Sequence, residues 1–551
     1  MTSQPPAAAA APPPPRQYDA KYGRTVLLIL AAMALMVTYV ETMVLPAFSN
    51  FESFFHVTEA STIAWILSAY LLVGVVVTPI FGKLGDIYGK KRMLLIAMVV
   101  YAVAVTLAGF SPNIGAALGL SRPDQIYVLI AVRAVQGVGM AMFPLGFAML
   151  PEVFPPQRVG QAQGLLSGMF AAGAAMGLVG GGYIAQTYSW QLTYHTVVPV
   201  AVLVIILAFV YIRESKIRLA RKIDFPGVLS LGLGLTLLML GITEGAYWGW
   251  TDFSAVRFGG VPWGVPEFLI LSAAVFAFFL YWEPRAPSPI VSFQSLRERN
   301  ILVSNLNGVL VGMAMFLLFT VLIILGEYPS PGFGLSELNA GLILVPAVIS
   351  MLVAGPFLGR AIGKYGPKPV MVIGFALIMV GPFGLGAFHS TTYEVGALAI
   401  PMMVGNVAVL ISMSNVIVLS VDPKTMGIQT GMNQTFRNLG SALGPVLVTS
   451  ILASYAFTEQ LGGLPFQNYH TMGYQVVFGL VAAIGAAGLL LSLALRNFRY
   501  LADGSRSGHP SGAPADGKPG AGRAAAAAGR DGQATGGQAG THTVNPASRE
   551  G

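Results

Sequence analysis

The sequence predicts an all-α integral membrane protein with fourteen transmembrane helices, arranged as two six-helix bundles with two extra helices between them. Three observations lead to this prediction: the composition, the number of long apolar runs, and a repeat between the two halves of the chain. Of the 551 residues, 55% are hydrophobic and only 10% are charged. This balance is typical of a chain that is surrounded by lipid rather than by water.

The apolar runs set the number of membrane crossings. A hydrocarbon layer about 30 Å thick is crossed by a helix of roughly 20 apolar residues, and fourteen such runs lie between charged or turn-rich breaks. The first six are residues 25–48, 62–82, 93–110, 126–150, 162–186 and 194–212. Two follow in the middle, 225–247 and 267–282, and the last six are 301–326, 338–358, 370–389, 395–419, 429–457 and 472–495.

Basic residues predict the orientation of these helices, because cytoplasmic loops are enriched in Lys and Arg. If the N-terminus is in the cytoplasm, the cytoplasmic loops hold nearly all of the basic loop residues. The loops on the opposite side hold only Arg122 and Arg257. Omitting the weak eighth run would turn every later basic loop outward. We therefore expect fourteen crossings of the cell membrane, with both termini in the cytoplasm.

The chain divides where its composition changes. Residues 1–24 begin with an Ala- and Pro-rich stretch, and residues 501–551 are rich in Gly, Ala, Ser and Pro. Neither segment is able to bury a core, so we expect both to be disordered cytoplasmic tails. Between them we expect an N-terminal six-helix bundle (25–213), a two-helix insertion (214–299) and a C-terminal six-helix bundle (300–500).

Two short patterns occur once in each half of the chain. The first pattern is Pro79, Gly82, Lys83, Tyr88, Gly89 and Lys91, which recurs as Pro356, Gly359, Arg360, Tyr365, Gly366 and Lys368. The second has glycines at 173 and 177, which recur as Gly440 and Gly444, followed by Pro445. We expect Gly173, Gly177, Gly440, Gly444 and Pro445 to serve helix packing. Parallel repeats of this kind place a substrate site near the middle of the membrane, between the halves.

The turn after the second helix carries a motif, Gly82-Lys-Leu-Gly-Asp-Ile-Tyr-Gly-Lys-Lys-Arg92. Glycines at 82, 85 and 89 permit a tight reversal, and basic residues suit the inner membrane surface. The motif resembles the signature loop of the major facilitator superfamily. The resemblance implies a gating loop in which the acidic residue contacts the start of a helix in the second half, here near residues 427–429. Its members are Gly82, Gly85, Asp86, Gly89, Lys90, Lys91 and Arg92.

The fourth helix contains Arg133-Ala-Val-Gln-Gly-Val-Gly139, which resembles the helix-4 motif of the same family. An arginine in the membrane interior is costly unless it has a partner or water, so its presence indicates a polar interior. Two roles stay open for Arg133: a structural clamp that binds nearby carbonyl groups, or a part in proton coupling. Gln136, one turn further, is a candidate for the substrate cavity.

The first helix contains Val40-Glu-Thr-Met-Val-Leu-Pro46. This resembles the helix-1 motif of the fourteen-helix drug:proton antiporter branch, with Glu41 where that branch usually has Asp. Thr38, Glu41 and Thr42 share one helical face, so the carboxyl would face a central cavity beside two hydroxyls. Burial disfavours a charged carboxylate, which suits a proton carrier. The alternative is a solvated glutamate near the outer interface.

Further polar residues lie in the predicted spans. Asparagines at five positions complete our set of cavity candidates, which is Thr38, Thr42, Gln136, Asn305, Asn307, Asn406, Asn415 and Asn433. Glu244 and Arg437 also lie within spans. Taken singly, each such residue is also able to form an ordinary hydrogen bond between helices.

The resemblance implies a proton-coupled secondary transporter that works by alternating access, as an antiporter that exports amphipathic or cationic small molecules. A nutrient or solute importer, or a lipid or glycolipid exporter, of the same fold stays open as an alternative. The export motif on the fifth helix normally contains Gly-Pro, whereas Gly177 is followed here by Leu178. The direction of transport is therefore open as well.

Several function classes are excluded by what the sequence lacks. It has no Gly-x-x-x-x-Gly-Lys-Ser/Thr loop for ATP, no cysteine, and six histidines without the spacing of metal ligands. No nucleophile and base form a recognisable pair, and the basic residues lie in short runs between apolar stretches. We therefore expect no enzymatic activity, no cofactor, no metal site and no nucleic-acid partner. The expected partners are a small-molecule substrate, protons and the lipid bilayer.

Overall fold

A computed structural model describes residues 19–57, 60–215, 224–251, 253, 256–258, 261–287, 289, 291, 293–421, 426–461 and 464–496. Within these residues fourteen helices are long and apolar enough to cross a membrane. The predicted all-α membrane fold with fourteen helices is thus confirmed, including the eighth span, which covers Val265–Arg285. Most of the predicted N-terminal tail and the whole of the predicted C-terminal tail lie outside the described residues.

The first six spans contain ten helices, because short helices and 3-10 turns extend or interrupt several of them. The helices are α1 (Ala20–Thr42), α2 (Phe48–Phe55), α3 (Ala60–Tyr88), α4 (Lys90–Gly109), α5 (Ser111–Ala117), α6 (Gln125–Gln136), α7 (Met142–Val153), α8 (Pro156–Thr187), α9 (Trp190–His195) and α10 (Val197–Tyr211). A 3-10 turn, Leu45–Ala47, joins α1 to α2, and another, Gly137–Ala141, joins α6 to α7.

The remaining spans follow the predicted order. The inserted pair is α11 (Phe225–Trp248) and α12 (Val265–Trp282), followed by the short α13 (Phe293–Leu296). The last six are α14 (Arg299–Glu327), α15 (Glu337–Tyr365), α16 (Pro367–Ala387), α17 (Thr392–Ser420), α18 (Met426–Ala453) and α19 (Thr471–Leu493). We call the end of the bundle at Gly89, between α3 and α4, the loop end, and the opposite end the far end.

Side-chain caps fix several helix starts. The Asp19 carboxylate accepts hydrogen bonds from the backbone N–H groups of Lys21 (2.9 Å) and Tyr22 (3.2 Å). This cap explains why α1 begins at Ala20, inside the segment predicted as a tail of residues 1–24. Thr391 and Glu394 form a reciprocal capping box at the start of α17. Such caps satisfy N–H groups that the first turn of a helix leaves unpaired.

The helices that carry the repeated glycines pack in the same way in both halves. On α8, a Cβ at Gly173 would lie 2.4 Å from the backbone oxygen of Leu35 in α1. On α18, a Cβ at Gly440 would lie 1.9 Å from the backbone oxygen of Val309 in α14. In each half the fifth helix of the set therefore approaches the first so closely that only glycine fits, as an internal duplication would produce.

The first repeated pattern also has one backbone geometry. Gly89 (φ 111°) and Gly366 (φ 85°) both adopt a left-handed conformation that favours glycine, and each directly precedes the next helix. The predicted reversal therefore occurs at Gly89. Gly82 and Gly85 instead lie inside α3, which continues to Tyr88. At Gly85 the missing side chain leaves room for Leu145 of α7, because a Cβ there would lie 2.6 Å from Leu145 Cδ2.

Two small antiparallel hairpins occur at the far end and were not predicted. They are β1 (Val256–Phe258) with β2 (Val261–Trp263), and β3 (Ala456–Leu461) with β4 (Leu464–Tyr469). In the second hairpin Ala456 pairs with Tyr469 and Leu461 with Leu464. The predicted spans had absorbed the first two residues of β3, since their apolar character continues that of the preceding helix.

Candidate functional site

A small cavity of about 10 Å³ lies between the two six-helix sets. A space of this size holds about one water molecule. Five helices supply its walls, α1 and α8 from the first set and α14, α17 and α18 from the second. The lining residues are Glu41, Phe170, Val311, Gly312, Met315, Phe316, Asn406, Leu410, Arg437, Asn438 and Ser441.

Opposite charges meet at this cavity. Glu41, near the end of α1, is 2% exposed, and its Oε2 has no hydrogen-bond partner among the described residues. The guanidinium groups of Arg437 and Arg133 are the charges that act on it most strongly. Arg437, on α18, lies with its Cζ 5.0 Å from the ring centre of Phe170 on α8. A buried carboxyl thus lies near a cation that belongs to the other half of the molecule.

Arg133 is completely buried inside the first six-helix set. Its Nε donates to the backbone oxygen of Ile66 at 3.0 Å, and its Nη1 donates to Gln136 Oε1 at 2.9 Å. The guanidinium also lies over the ring of Tyr70, 4.6 Å from its centre. These contacts suit the clamp role, while its electrostatic effect on Glu41 suits the coupling role; neither Arg133 nor Gln136 lines the cavity.

The two hydroxyls predicted beside Glu41 point elsewhere. Thr38 donates to the backbone oxygen of Ala34 at 2.9 Å. Thr42 donates to the backbone oxygen of Ala174 in α8 at 3.1 Å and to that of Thr38 at 3.0 Å. Backbone carbonyl groups within reach satisfy both hydroxyls, and neither threonine lines this cavity. A role for them in the substrate cavity stays a prediction.

Of the five predicted asparagines, Asn406 alone lines this cavity. It donates to the backbone oxygen of Val311 at 3.4 Å, and its Oδ1 has no hydrogen-bond partner among the described residues. The other four bond within the second six-helix set: Asn305 to Ile301 O (2.8 Å), Asn307 to Ser492 Oγ (3.0 Å), Asn415 to Ile411 O (2.8 Å) and Asn433 to Ser304 O (3.1 Å). The bonds of Asn307 and Asn433 join different helices, whereas those of Asn305 and Asn415 lie within α14 and α17.

Sequence reasoning missed most of the cavity wall. Phe170, Met315 and Phe316 gave no signal, because apolar residues are expected everywhere in a membrane helix. Arg437 was recognised only as one polar residue among several. Arg437 lies one turn before Ser441 on α18, the helix whose glycines repeat those of α8. This pattern would have identified Arg437 as a residue that faces the other half.

Two acidic residues organise the predicted gating loop. The Glu214 carboxylate accepts hydrogen bonds from the backbone N–H groups of Lys91 and Arg92, both at 3.0 Å, at the start of α4. The Lys90 ammonium forms an ion pair with Glu152 at 2.5 Å. Carboxylates at a helix N-terminus stabilise the unpaired N–H groups there. Neither Glu214 nor Glu152 was identified from the sequence.

Asp86 lies in the last turn of α3, and α3 packs along α18. The predicted contact of Asp86 is with the start of α18, near residues 427–429. Side chains at 427 and 428 lie outside the part of the chain that the structure describes. The bracing role of Asp86 therefore stays a prediction.

Hydrogen bonds join the two halves at the far end. Tyr328, just after α14, donates to Glu52 of α2 at 2.5 Å. Ser49 N donates to Glu327 at 3.3 Å, and Leu338 N donates to Gln186 of α8 at 3.3 Å. Burial raises the pKa of the Tyr328 hydroxyl, and the Glu52 carboxylate raises it further, so this hydroxyl remains a donor at neutral pH.

Comparisons with known proteins agree with this geometry. The sequence profile of the Major Facilitator Superfamily matches residues 30–445 and, in a second match, residues 306–527. The chain is 26% identical to Multidrug resistance protein 3 of Bacillus subtilis, over 72% of this chain and 73% of that protein. It is also 26% identical to the tetracenomycin C resistance and export protein of Streptomyces glaucescens, over 78% of this chain and 76% of the relative.

Solved structures share the fold. The human organic anion transporter MFSD10 superposes with a TM-score of 0.56 at 15% identity, over 85% of this chain and 99% of that one. The xylose transporter XylE from E. coli, in a partially occluded inward open conformation, gives a TM-score of 0.57 at 12% identity, over 86% and 97%. At these identities the similarity concerns the fold.

Proposed function

Because the chain belongs to the major facilitator superfamily, a family of membrane transporters, we propose that it is a proton-coupled antiporter that exports amphipathic or cationic small molecules. The observation that carries this proposal is the buried Glu41 carboxyl at a cavity between the halves, near Arg437 of the opposite half. Relatives named for multidrug resistance and tetracenomycin export support the class of substrate.

The charges around the cavity make a proton and a cationic substrate compete. When Glu41 is ionised, its negative charge balances Arg437 and attracts a cation. When Glu41 binds a proton, the positive charge of Arg437 remains and repels a cation. Charges in a buried site are little screened by water, so a proton on Glu41 and a cation in the cavity disfavour each other. Exclusive binding of this kind is what an antiporter requires.

Hydrogen bonds at the far end and the small size of the cavity support alternating access. The far end is closed by the hydrogen bonds that join Tyr328 to Glu52 and Leu338 to Gln186. At the loop end, nothing among the described residues lies within 4 Å of a Cβ at Gly355, Gly359 or Gly363 on α15. The cavity, at about 10 Å³, is too small for a drug-sized molecule. Substrate entry therefore requires the halves to separate.

The orientation belongs to the same proposal. We place the protein in the cell membrane, with the loop end and both termini in the cytoplasm and the bundles at residues 25–213 and 300–500. The basic residues Lys90, Lys91 and Arg92 at the loop end support this orientation. Reporter fusions at each terminus test it: we expect a cytoplasmic reporter to be active at both ends, and activity of a periplasmic reporter at either end would contradict it.

The deciding experiment is transport into proteoliposomes with an imposed pH gradient. We expect the parent protein to move the cationic dye ethidium in exchange for protons, and Glu41→Gln to lose this pH-driven uptake. Glu244→Gln is the matched control, because Glu244 also lies in a membrane helix, α11, but does not line the cavity. Unchanged uptake in Glu41→Gln would remove Glu41 from the mechanism.

The same vesicles separate the other functions of this fold. Uptake of the dye together with protons, rather than against them, would identify an importer. Transfer of a fluorescent phospholipid between leaflets, with no dye transport, would identify a lipid exporter. Either result would replace the antiporter proposal.

A further inference from the structure

Five polar side chains form a cluster inside the first six-helix set, beside the cavity but not part of its wall. They are Tyr70 of α3, Tyr101 of α4, Arg133 and Gln136 of α6, and Tyr194 of α9. Each is 0% exposed. We call these five residues the inner polar cluster.

The inner polar cluster contains many polar atoms without a protein partner. The hydroxyls of all three tyrosines have no hydrogen-bond partner among the described residues, and neither do Arg133 Nη2 and Gln136 Nε2. Buried polar groups in folded proteins are almost always paired, and internal water supplies the partner where protein does not. Five such groups in one core therefore indicate bound water between them.

Contacts link most members of the cluster to one another, and its arginine acts electrostatically on Glu41. The Arg133 guanidinium lies 4.6 Å from the ring centre of Tyr70. Arg133 binds Gln136, and the Tyr101 hydroxyl lies close to the Gln136 amide without completing a hydrogen bond. Tyr101 and Tyr194 lie on α4 and α9, which pack against each other.

One end of the cluster lies near the far end of the bundle. Tyr194 belongs to α9, which starts directly after the turn that follows α8. Its ring lies 6.2 Å from that of Trp190, whose Nε1 also has no hydrogen-bond partner among the described residues. The next residue, His195, is half-buried, and a Cβ at Gly109, the last residue of α4, would lie 2.2 Å from its Nε2. The cluster thus extends towards the surface at the far end.

We propose that the inner polar cluster holds a chain of water molecules that carries protons between the far end and Glu41, separately from the substrate cavity. In each step one hydroxyl or water gives a proton to the next and receives one from the previous, so that the net result is one proton on a Glu41 oxygen. The fixed charge of Arg133 disfavours an excess proton at rest in the chain. The ionised Glu41 carboxylate attracts the proton, so the proton rests there rather than in the chain.

This proposal rests on the proposed function, because it requires Glu41 to bind the proton. The charged groups that act on Glu41 are Arg437 from the second set and Arg133 from the first, and Glu41 in turn acts on the titratable hydroxyls of Tyr70 and Tyr101. Arg437 stands at the cavity, whereas the other three belong to the inner polar cluster. A separate route explains how a proton reaches Glu41 while substrate occupies the cavity.

The test follows the protonation of Glu41 without any substrate. The purified full-length protein in lipid bilayers is subjected to a pH jump, and infrared difference spectroscopy records the band of the protonated carboxyl. The Glu41 band is the one that is missing from Glu41→Gln. Tyr101→Phe and Tyr194→Phe each remove a hydroxyl and keep the ring, so they interrupt the chain with little change in packing.

We expect both variants to slow the appearance of the Glu41 band by about tenfold or more, which corresponds to about 1.4 kcal/mol in the barrier. The final amplitude and the midpoint pH should equal those of the parent. Tyr474→Phe is the matched control, because Tyr474 of α19 is also 0% exposed and has a hydroxyl without a partner among the described residues, but lies in the other half. Its rate should equal that of the parent.

If the Glu41 band appears at the same rate in the parent and in both variants, the water chain is wrong. The proposal is also wrong if the band appears more slowly only in variants whose final amplitude or midpoint pH has changed as well. A parent spectrum identical to that of Glu41→Gln would instead refute the proposed function, since Glu41 would then bind no proton. A high-resolution experimental map offers an independent readout: we expect ordered water within hydrogen-bond distance of Arg133 Nη2, and a dry cluster would contradict the proposal.

Discussion

Gly440→Ala tests whether the close approach of α18 and α14 holds the cavity together. The new Cβ would lie 1.9 Å from Val309 O and 2.7 Å from Val309 C, whereas real Cβ atoms essentially never come within 3.0 Å of another atom. The two helices must therefore move apart by about 1 Å, an overpacking that costs about 1–3 kcal/mol. The higher helix propensity of alanine returns up to about 1 kcal/mol.

The matched control is Gly363→Ala on α15, where nothing among the described residues lies within 4 Å of the new Cβ. In a thermal unfolding assay of the purified protein, we expect Gly440→Ala to melt below the parent and Gly363→Ala to melt at or above it. Because α14 and α18 supply Met315 and Arg437 to the cavity wall, ethidium binding should also weaken in Gly440→Ala. If the two variants melt at the same temperature, the packing argument is wrong.

Two further predictions concern the ends of the bundle. Tyr328→Phe removes the hydrogen bond to Glu52 (2.5 Å). With one spin label in each half at the far end, we therefore expect the distances between the labels to shift towards longer values. An unchanged distance distribution would show that this bond does not hold the far end closed. Glu214→Gln removes the negative charge from the side chain that accepts hydrogen bonds from Lys91 N and Arg92 N. We expect the free energy of unfolding, measured by chemical denaturation, to fall by about 0.5–1 kcal/mol. An unchanged free energy of unfolding would contradict the role of Glu214 at the start of α4.

The fold was predictable because its determinants are local. A run of roughly 20 apolar residues is a helix in lipid wherever it occurs, and the repeated glycines at 89 and 366 mark one backbone geometry in both halves. The start of α1 was missed by five residues because the Asp19 cap lies before the apolar run. The first two residues of the hairpin at Ala456–Tyr469 were assigned to the preceding span because their apolar character continues it.

The site was predictable only in part, because a cavity is formed by residues that are distant in sequence. Glu41 was identified from its motif, but its neighbour Arg437 lies almost 400 positions away and emerges only when α1 and α18 come together. Asn307 looked like a cavity residue, yet Ser492 of α19 satisfies it. A polar residue in a span thus shows that a partner exists, and the packing decides whether that partner is protein, water or substrate.

The inner polar cluster was also predictable only in part. Arg133 was recognised from its motif, whereas Tyr101 and Tyr194 belong to no motif and carried no signal. Their role emerges from burial combined with unpaired hydroxyls. Neither property is visible in a sequence.

Proton release on ligand binding tests most directly whether a proton and a cation compete for Glu41. Ethidium is titrated into the purified protein by calorimetry, in two buffers that differ in ionisation enthalpy, at a pH where Glu41 is protonated. We predict the release of about one proton per bound dye in the parent and none in Glu41→Gln. Equal release from both proteins would contradict the account.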